Sequence, residues 1–180
     1  MHLSGEWILL IFIVVVTAMM LLLLHLTELG LFLHQSIPDR PHRRMLLGSI
    51  SFFITFLAVR LLVASIQHHF GPFQYVTMGG RHIHHLVWGI LILLGVGYGY
   101  LNEVGSLSTP ASIFWSRLFS ILYGVGAALT LDEFALWLNL ANVYWSPQGR
   151  ESIDAVMLFG SLLAIGTWGA PVVTAWRRKK

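Results

Sequence analysis

The stretch Gly126-Ala-Ala-Leu-Thr-Leu-Asp-Glu-Phe-Ala-Leu-Trp-Leu138 decides the fold, because two adjacent carboxylates lie inside a long apolar run. These carboxylates belong to Asp132 and Glu133. Ionised side chains are expensive in lipid, and a membrane segment that retains them typically uses them. The stretch therefore predicts a membrane helix that carries a polar site.

The composition of the whole chain agrees with a lipid-facing exterior. Of 180 residues, 56% are apolar and only 11% are charged, whereas an ordinary soluble domain has about 25% charged residues. The length predicts one domain, residues 1–180. The chain has no cysteine, which excludes disulfides and thiolate metal sites. The net charge of +3 comes from residues at segment ends and does not indicate a nucleic-acid partner.

Five apolar segments are long enough to cross a bilayer, which requires about 20 residues each. We therefore predict an all-α, polytopic, single transmembrane bundle. The first segment is predicted to be a retained helix, because the residues before it include Glu6 and no Lys or Arg. Ser152 is the predicted N-cap of the last helix. The predicted spans are Trp7–Phe32, Met45–Ile66, His84–Leu101, Trp115–Leu140 and Ala155–Trp176.

The Lys and Arg residues of the connectors predict the orientation, because cytoplasmic loops carry an excess of them. One side of the predicted bundle has Arg81 and Arg150, and Arg60 lies inside a span. The C-terminus is therefore predicted to be cytoplasmic and the N-terminus to face outward. The other side has Arg40, Arg43, Arg44, Arg117, Arg177, Arg178, Lys179 and Lys180.

A second informative stretch, Arg81-His82-Ile83-His84-His85, lies at the outer end of the third predicted span. On a helix His82 and His85 would share a face, whereas in an extended segment His82 and His84 would share a side. Two or three of the imidazoles of His82, His84 and His85, together with the carboxylate of Asp132, would form a divalent metal site for zinc or iron. The alternative is a histidine cluster at the membrane interface. Haem is not favoured, because the cysteine-free chain has no haem attachment motif.

The two carboxylates should differ in role, because neighbouring helical side chains point about 100° apart. Asp132 follows a stripe of small residues, Gly124 and Ala128, and is expected to face the bundle interior. One carboxylate would bind the metal or act as a base while the other pairs with Arg60. The alternative is a salt bridge to Arg60 that only fixes helix packing.

Three sets of motifs resemble those of an uncharacterised family of small bacterial integral membrane proteins. They are R-H-I-H-H-L-V-W-G, G-A-A-L-T-L-D-E-F-A-L-W-L and Y-W-S-P-Q-G-R-E-S-I-D-A, and they cover His82 to about Ala155. The resemblance implies a bacterial inner-membrane location and implies no catalytic roles.

Three functions remain open from the sequence. The first is metal-dependent chemistry on a lipid or its head group, with Asp132 and Glu133 as catalytic residues and Arg81 and Arg60 holding the head group. The second is a non-enzymatic subunit of a larger membrane complex or a homo-oligomer, packed through small-residue helix faces. The third is transport of protons or metal ions. In each case the partners are membrane lipids or proteins.

Overall fold

The computed structural model describes residues 5–28, 30–31, 35, 37, 39–68, 77–78, 81–82, 84–141 and 146–168. Within these ranges, the side chains of residues 5–10, 77–78, 81–82, 148, 165 and 167–168 are not described. The predicted all-helical class is confirmed for this part of the chain.

Six α-helices form the described architecture. A short antiparallel hairpin, β1 (Thr77–Met78) and β2 (Arg81–His82), pairs Thr77 with His82 and precedes α3. A 3-10 turn, Pro147–Gly149, precedes α6. The helices are α1 (Gly5–Leu26), α2 (Arg40–Gln67), α3 (His85–Leu101), α4 (Pro110–Asp132), α5 (Phe134–Asn139) and α6 (Arg150–Trp168).

Two of the described helices, α2 and α4, are long enough and apolar enough to cross a membrane. Ile11–Leu26 of α1 and the whole of α3 are shorter apolar helices. These two helices agree with the predicted membrane protein, but they are fewer than the five predicted spans.

The helix starts follow local chemistry. Pro110 occupies the first turn of α4, where its missing N–H costs no hydrogen bond. The hydroxyl of Thr109 accepts a hydrogen bond from the backbone N–H of Ser112 at 3.3 Å and caps the same helix. Pro41 likewise lies in the first turn of α2. The chain therefore begins these two helices at the positions where its prolines favour them.

Helix α4 lies at the centre of the bundle, where it packs along α2 and α3 and also contacts α1 and α6. Helices α2 and α4 run in parallel with a constant offset of 72 residues, from Arg44 beside Ser116 to Arg60 beside Asp132. The apolar core follows this arrangement. The buried residues that join α4 to α1 and α2 are Val16, Met20, Leu24, Leu47, Val59, Ile121, Val125 and Leu129.

Small residues allow the helices of this bundle to approach closely. A Cβ atom added at Gly89 of α3 would lie 2.7 Å from the carbonyl oxygen of Gly126 in α4. A Cβ added at Gly124 would collide with the carbonyl oxygen of Gly48 and with Ser51 in α2. The small residues of α4 thus allow the backbones of α2 and α3 of the same chain to approach α4 closely.

The structure differs from the predicted fourth span, which was expected to run without interruption from Trp115 to Leu140. Helix α4 ends at Asp132, and Glu133 adopts φ −106° and ψ 20°. A separate six-residue helix, α5, follows and ends at Leu140, which has a left-handed conformation. The interruption lies within the predicted polar site.

Candidate functional site

Polar residues from three parts of the fold meet where α2 and α4 end and α3 begins. Helix α4 supplies Asp132 as its last residue, and Glu133 occupies the break that follows. His84 precedes α3 in an extended conformation, and His85 is the first residue of that helix. Arg60 comes from α2. We call these five residues the His–acid network.

The break at Glu133 is stabilised by a residue from a distant part of the chain. Because α4 stops at Asp132, the backbone N–H of Ala135 lacks a partner within the helix. The hydroxyl of Ser152 in α6 accepts a hydrogen bond from this N–H at 2.8 Å. Ser152 is therefore not the N-cap of the last helix, as predicted, but a buried acceptor for the interrupted one.

The break also changes where the two carboxylates point. Both side chains are buried, with residue exposures of 0% for Asp132 and 5% for Glu133. The expected separation of about 100° applies to a regular helix, and Glu133 is not in one. Both carboxylates consequently face the same imidazole, that of His85, although helix geometry predicted that they would point apart.

His85 lies between the two carboxylates. Its Nε2 atom is 3.0 Å from Oδ2 of Asp132, and its Nδ1 atom is 3.5 Å from Oε2 of Glu133. A neutral imidazole carries one N–H, whereas an imidazolium carries two and can donate to both acids. The ring is therefore within reach of both acids at once.

Glu133 also connects to the start of α3. Its Oε1 atom accepts a hydrogen bond from Nδ1 of His84 at 2.8 Å, and its Oε2 atom accepts one from the backbone N–H of Leu86 at 3.0 Å. His84 makes no side-chain cap of its own helix. A carboxylate near a helix N-terminus is favourable because the unpaired N–H groups there carry partial positive charge. Glu133 thus acts as the cap of α3 from another element.

Asp132 connects the network to α2. Its Oδ1 atom forms an ion pair with Nε of Arg60, and its backbone carbonyl accepts a hydrogen bond from Nη2 of Arg60 at 3.3 Å. The guanidinium also lies 5.2 Å from the ring centroid of Phe56. The predicted alternative, in which one carboxylate pairs with Arg60, describes this arrangement.

The charges of the network do not balance unless one imidazole is protonated. Two ionised carboxylates and one guanidinium leave one negative charge in a buried site, where an uncompensated charge is costly. The hydrogen bond from His84 to Glu133 raises the pKa of His84 above its ordinary value of 6.5, and this outweighs the opposing effect of burial. The site is thus arranged to hold a proton.

The described residues do not support the predicted metal site. Among them, no group of three or more His, Asp or Glu side chains is arranged to hold a metal ion. The nitrogen atoms of His84 and His85 that face the acids are occupied by carboxylate contacts. The backbones of Arg81 and His82 form β2, but their side chains, and hence their predicted roles, lie outside the described part of the chain.

Sequence reasoning found five members of this site but missed Ser152 and the N–H of Leu86. Neither had a local signal, because each contacts the site only through the folded arrangement of the helices.

Comparisons with protein-family models, with curated proteins and with solved structures found no match for the chain.

Proposed function

We propose that this chain is a multi-pass protein of the bacterial inner membrane that binds and releases a proton at the His–acid network as part of proton transport across the membrane. Five spans place the N-terminus outside, the C-terminus in the cytoplasm and the network near the outer face. Support comes from the two described helices of membrane-spanning length and from the bias of Lys and Arg between the connectors.

The observation that carries this proposal is the position of His85 between two buried carboxylates. Histidine is the side chain that ordinarily changes charge between about pH 5 and 8. Loss of one proton from the network would leave two acids facing a neutral ring and one guanidinium. Helix α3 would then lose charged contacts to α4, so proton release is coupled to helix packing.

A purely structural role is the weaker explanation for the same contacts. Apolar residues of similar volume often stabilise a buried interface as well as an ion pair does. Ionisable groups inside membrane bundles are rare and mark proton relays or ion pathways. The network also reaches the surface through His84, whose side chain is 31% exposed, while Asp132 is fully buried. This gradient gives a proton an entry point and a buried acceptor.

Proton flux in liposomes tests the proposal. Protein is reconstituted with an enclosed pH-sensitive dye, and the external pH is lowered while a potassium ionophore prevents charge build-up. Wild type is expected to acidify the interior, and Asp132→Asn and Glu133→Gln are expected to slow this to the rate of empty liposomes. Equal rates for wild type and empty liposomes would overturn the proposal.

His42→Gln is the matched control for these variants. His42 pairs with Asp39 at the start of α2, so this is also a histidine–carboxylate contact, but it is exposed and remote from the network. Its flux is expected to equal that of wild type. A flux lost equally in His42→Gln would show that the assay reports general damage to the fold.

A second candidate function, a subunit of a larger membrane complex, is favoured by one face of α3. A Cβ atom added at Gly95 would meet nothing within 4 Å, so the backbone on this face is open to close approach. Leu91 and Leu94 on the same helix are 55% and 65% exposed. Native mass measurement after gentle detergent extraction tests it: a stable hetero-complex that Gly95→Leu dissociates would support this function, and a monomer would remove it.

A further inference from the structure

Four arginines converge on one pocket at the end of the bundle opposite the His–acid network. Helix α2 contributes Arg40, Arg43 and Arg44, and α4 contributes Arg117. The hydroxyl-bearing residues Ser116 and Ser120 also line the pocket. Among the described residues, no acidic side chain lines it. We call this the arginine pocket.

The guanidinium groups are held in place by neutral oxygens. Arg44 donates from Nε to the hydroxyl of Ser116 and from Nη2 to the carbonyl of Gly105, each at 2.8 Å. Arg40 donates to the carbonyls of Gly105 and Ser106, and Arg117 donates to the carbonyl of Gly30 at 3.3 Å. These neutral acceptors fix the positions of Arg40, Arg44 and Arg117 but carry no formal charge of their own.

The loop between α3 and α4 is shaped to supply these carbonyls. Gly105 has a φ of 83°, a left-handed conformation that glycine adopts without strain. A Cβ atom at this position would lie 2.8 Å from the backbone nitrogen of Ser116. The loop therefore lies directly on α4 and presents the Gly105 carbonyl to both Arg40 and Arg44.

The carboxylate of Asp39 lies outside the lining of the pocket. Asp39 lies at the N-terminus of α2, where its side chain is 54% exposed and pairs with His42. It attracts the Arg43 guanidinium, but Arg40 and Arg117 repel that group in turn. A polyvalent anion in the pocket would relieve this repulsion, which a single nearby carboxylate does not.

The remaining wall of the pocket is apolar. The enclosed part of the pocket has a volume of about 40 Å³, which is room for a compact anionic group, since one water molecule requires about 10–15 Å³ on the same measure. A ligand with an anionic head and an apolar tail would satisfy both walls. The apolar lining residues are Leu24, Leu46, Leu47 and Ile113.

We propose that the arginine pocket binds a phosphate-bearing anion, the head group of an acidic phospholipid or a free phosphate ester. Guanidinium forks match phosphate oxygens through paired hydrogen bonds. Basic pockets between membrane helices on the cytoplasmic side bind phosphorylated lipid head groups. The site is spatially separate from the His–acid network, because sixteen residues of α4, about 24 Å, separate Ser116 from Asp132.

Binding to three probes tests the proposal and distinguishes the two sources of phosphate. The thermal stability of purified protein in a neutral detergent is titrated with phosphatidylglycerol, with phosphatidylcholine and with inorganic phosphate. Protection by phosphatidylglycerol at concentrations about tenfold below those required for phosphatidylcholine, as expected for added charge-assisted contacts, identifies an acidic lipid. Protection by inorganic phosphate alone identifies a free phosphate ester. No protection by any of the three overturns the proposal.

Arg117→Gln is the informative variant, because its described hydrogen bond holds only Gly30 and it is therefore the least structural of these arginines. It is expected to weaken the protection about tenfold, the effect of losing one charge-assisted hydrogen bond. Arg117→Lys keeps the charge but lacks the fork, and it serves if the glutamine variant does not fold. The matched control is Arg150→Gln, an exposed arginine at the start of α6. Equal loss in Arg150→Gln, or none in either Arg117 variant, would also overturn the proposal.

Discussion

The contact between His84 and Glu133 makes the stability of the bundle depend on pH. The hydrogen bond to Glu133 raises the pKa of His84 above 6.5, so the folded protein holds this proton more tightly than the unfolded chain does. The resulting stabilisation is fully present below pH 6.5, the ordinary pKa, and is lost as the pH rises through the raised pKa of the folded state.

We therefore predict that Glu133→Gln reduces the pH dependence of unfolding. Wild type should lose thermal stability as the pH rises above 6.5 and through the raised pKa of folded His84, because His84 then loses its proton. The variant should lose less over the same interval, since the hydrogen bond to an anionic acceptor is gone. Thermal unfolding followed by circular dichroism at a series of pH values measures both slopes.

Glu103→Gln is the control for this measurement. Glu103 is an exposed carboxylate in the loop between α3 and α4, and its removal changes the net charge by the same amount. Its slope should match that of wild type. Parallel curves for wild type and Glu133→Gln would contradict the prediction.

At the scale of the elements, the break between α4 and α5 depends on a single hydroxyl from α6. Ser152 accepts a hydrogen bond from the backbone N–H of Ala135, and both residues are buried, so water does not replace the bond. A buried donor left without a partner costs about 1–3 kcal/mol. The break in turn directs Glu133 toward His84.

We predict that Ser152→Ala destabilises the protein by about 1–3 kcal/mol through the unpaired N–H of Ala135. Ser161→Ala, in the same helix, is the matched control, because the exposed hydroxyl of Ser161 bonds only to its own helix at Met157. The control should change stability by less than about 0.5 kcal/mol. Urea unfolding in mild detergent compares the two, and equal effects would count against this account of the break.

The packing of α3 on α4 gives a second prediction at this scale. Gly89→Ala would place a methyl group 2.7 Å from the carbonyl oxygen of Gly126, and it should cost about 1–3 kcal/mol, as overpacking does. Gly95→Ala meets nothing within 4 Å and should be neutral or stabilise by up to about 1 kcal/mol, since alanine favours helices. Thermal unfolding of the two variants and of wild type measures these changes in stability. A loss of stability in Gly95→Ala as large as in Gly89→Ala would refute the glycine contact.

The sequence predicted the all-helical class and named the five residues of the His–acid network, because hydropathy marks apolar helices and ionisable groups within them are unusual. It did not predict the break at Glu133, since the break depends on a contact between Ala135 and Ser152, which are 17 residues apart along the chain. It left open whether His84 is helical, and the structure makes it extended. The metal prediction required imidazoles directed at a common point, whereas the described ones are directed at carboxylates.

At the scale of the whole molecule, the two polar sites should face opposite sides of the membrane. The absence of cysteine allows this to be measured with single introduced thiols. Ser106 is exposed beside the arginine pocket, and Ala141 is exposed just beyond α5 near the network. Labelling of Ala141→Cys but not Ser106→Cys by a membrane-impermeant maleimide on intact cells is the expected outcome.

Labelling after cell lysis controls for access in this experiment. Both thiols should react once the membrane is opened, because both positions are exposed. Reaction of Ser106→Cys on intact cells would reverse the proposed orientation. Reaction of both thiols on intact cells would place the two sites on the same side.

The constant offset between α2 and α4 acts as a mechanical linkage. One helix pair carries the Arg44–Ser116 contact at one end and the Arg60–Asp132 contact at the other. Packed helices resist bending, so sliding that separates Arg60 from Asp132 also displaces Arg44 relative to Ser116. A displacement of α2 relative to α4 at either end therefore changes the contact at the other end as well.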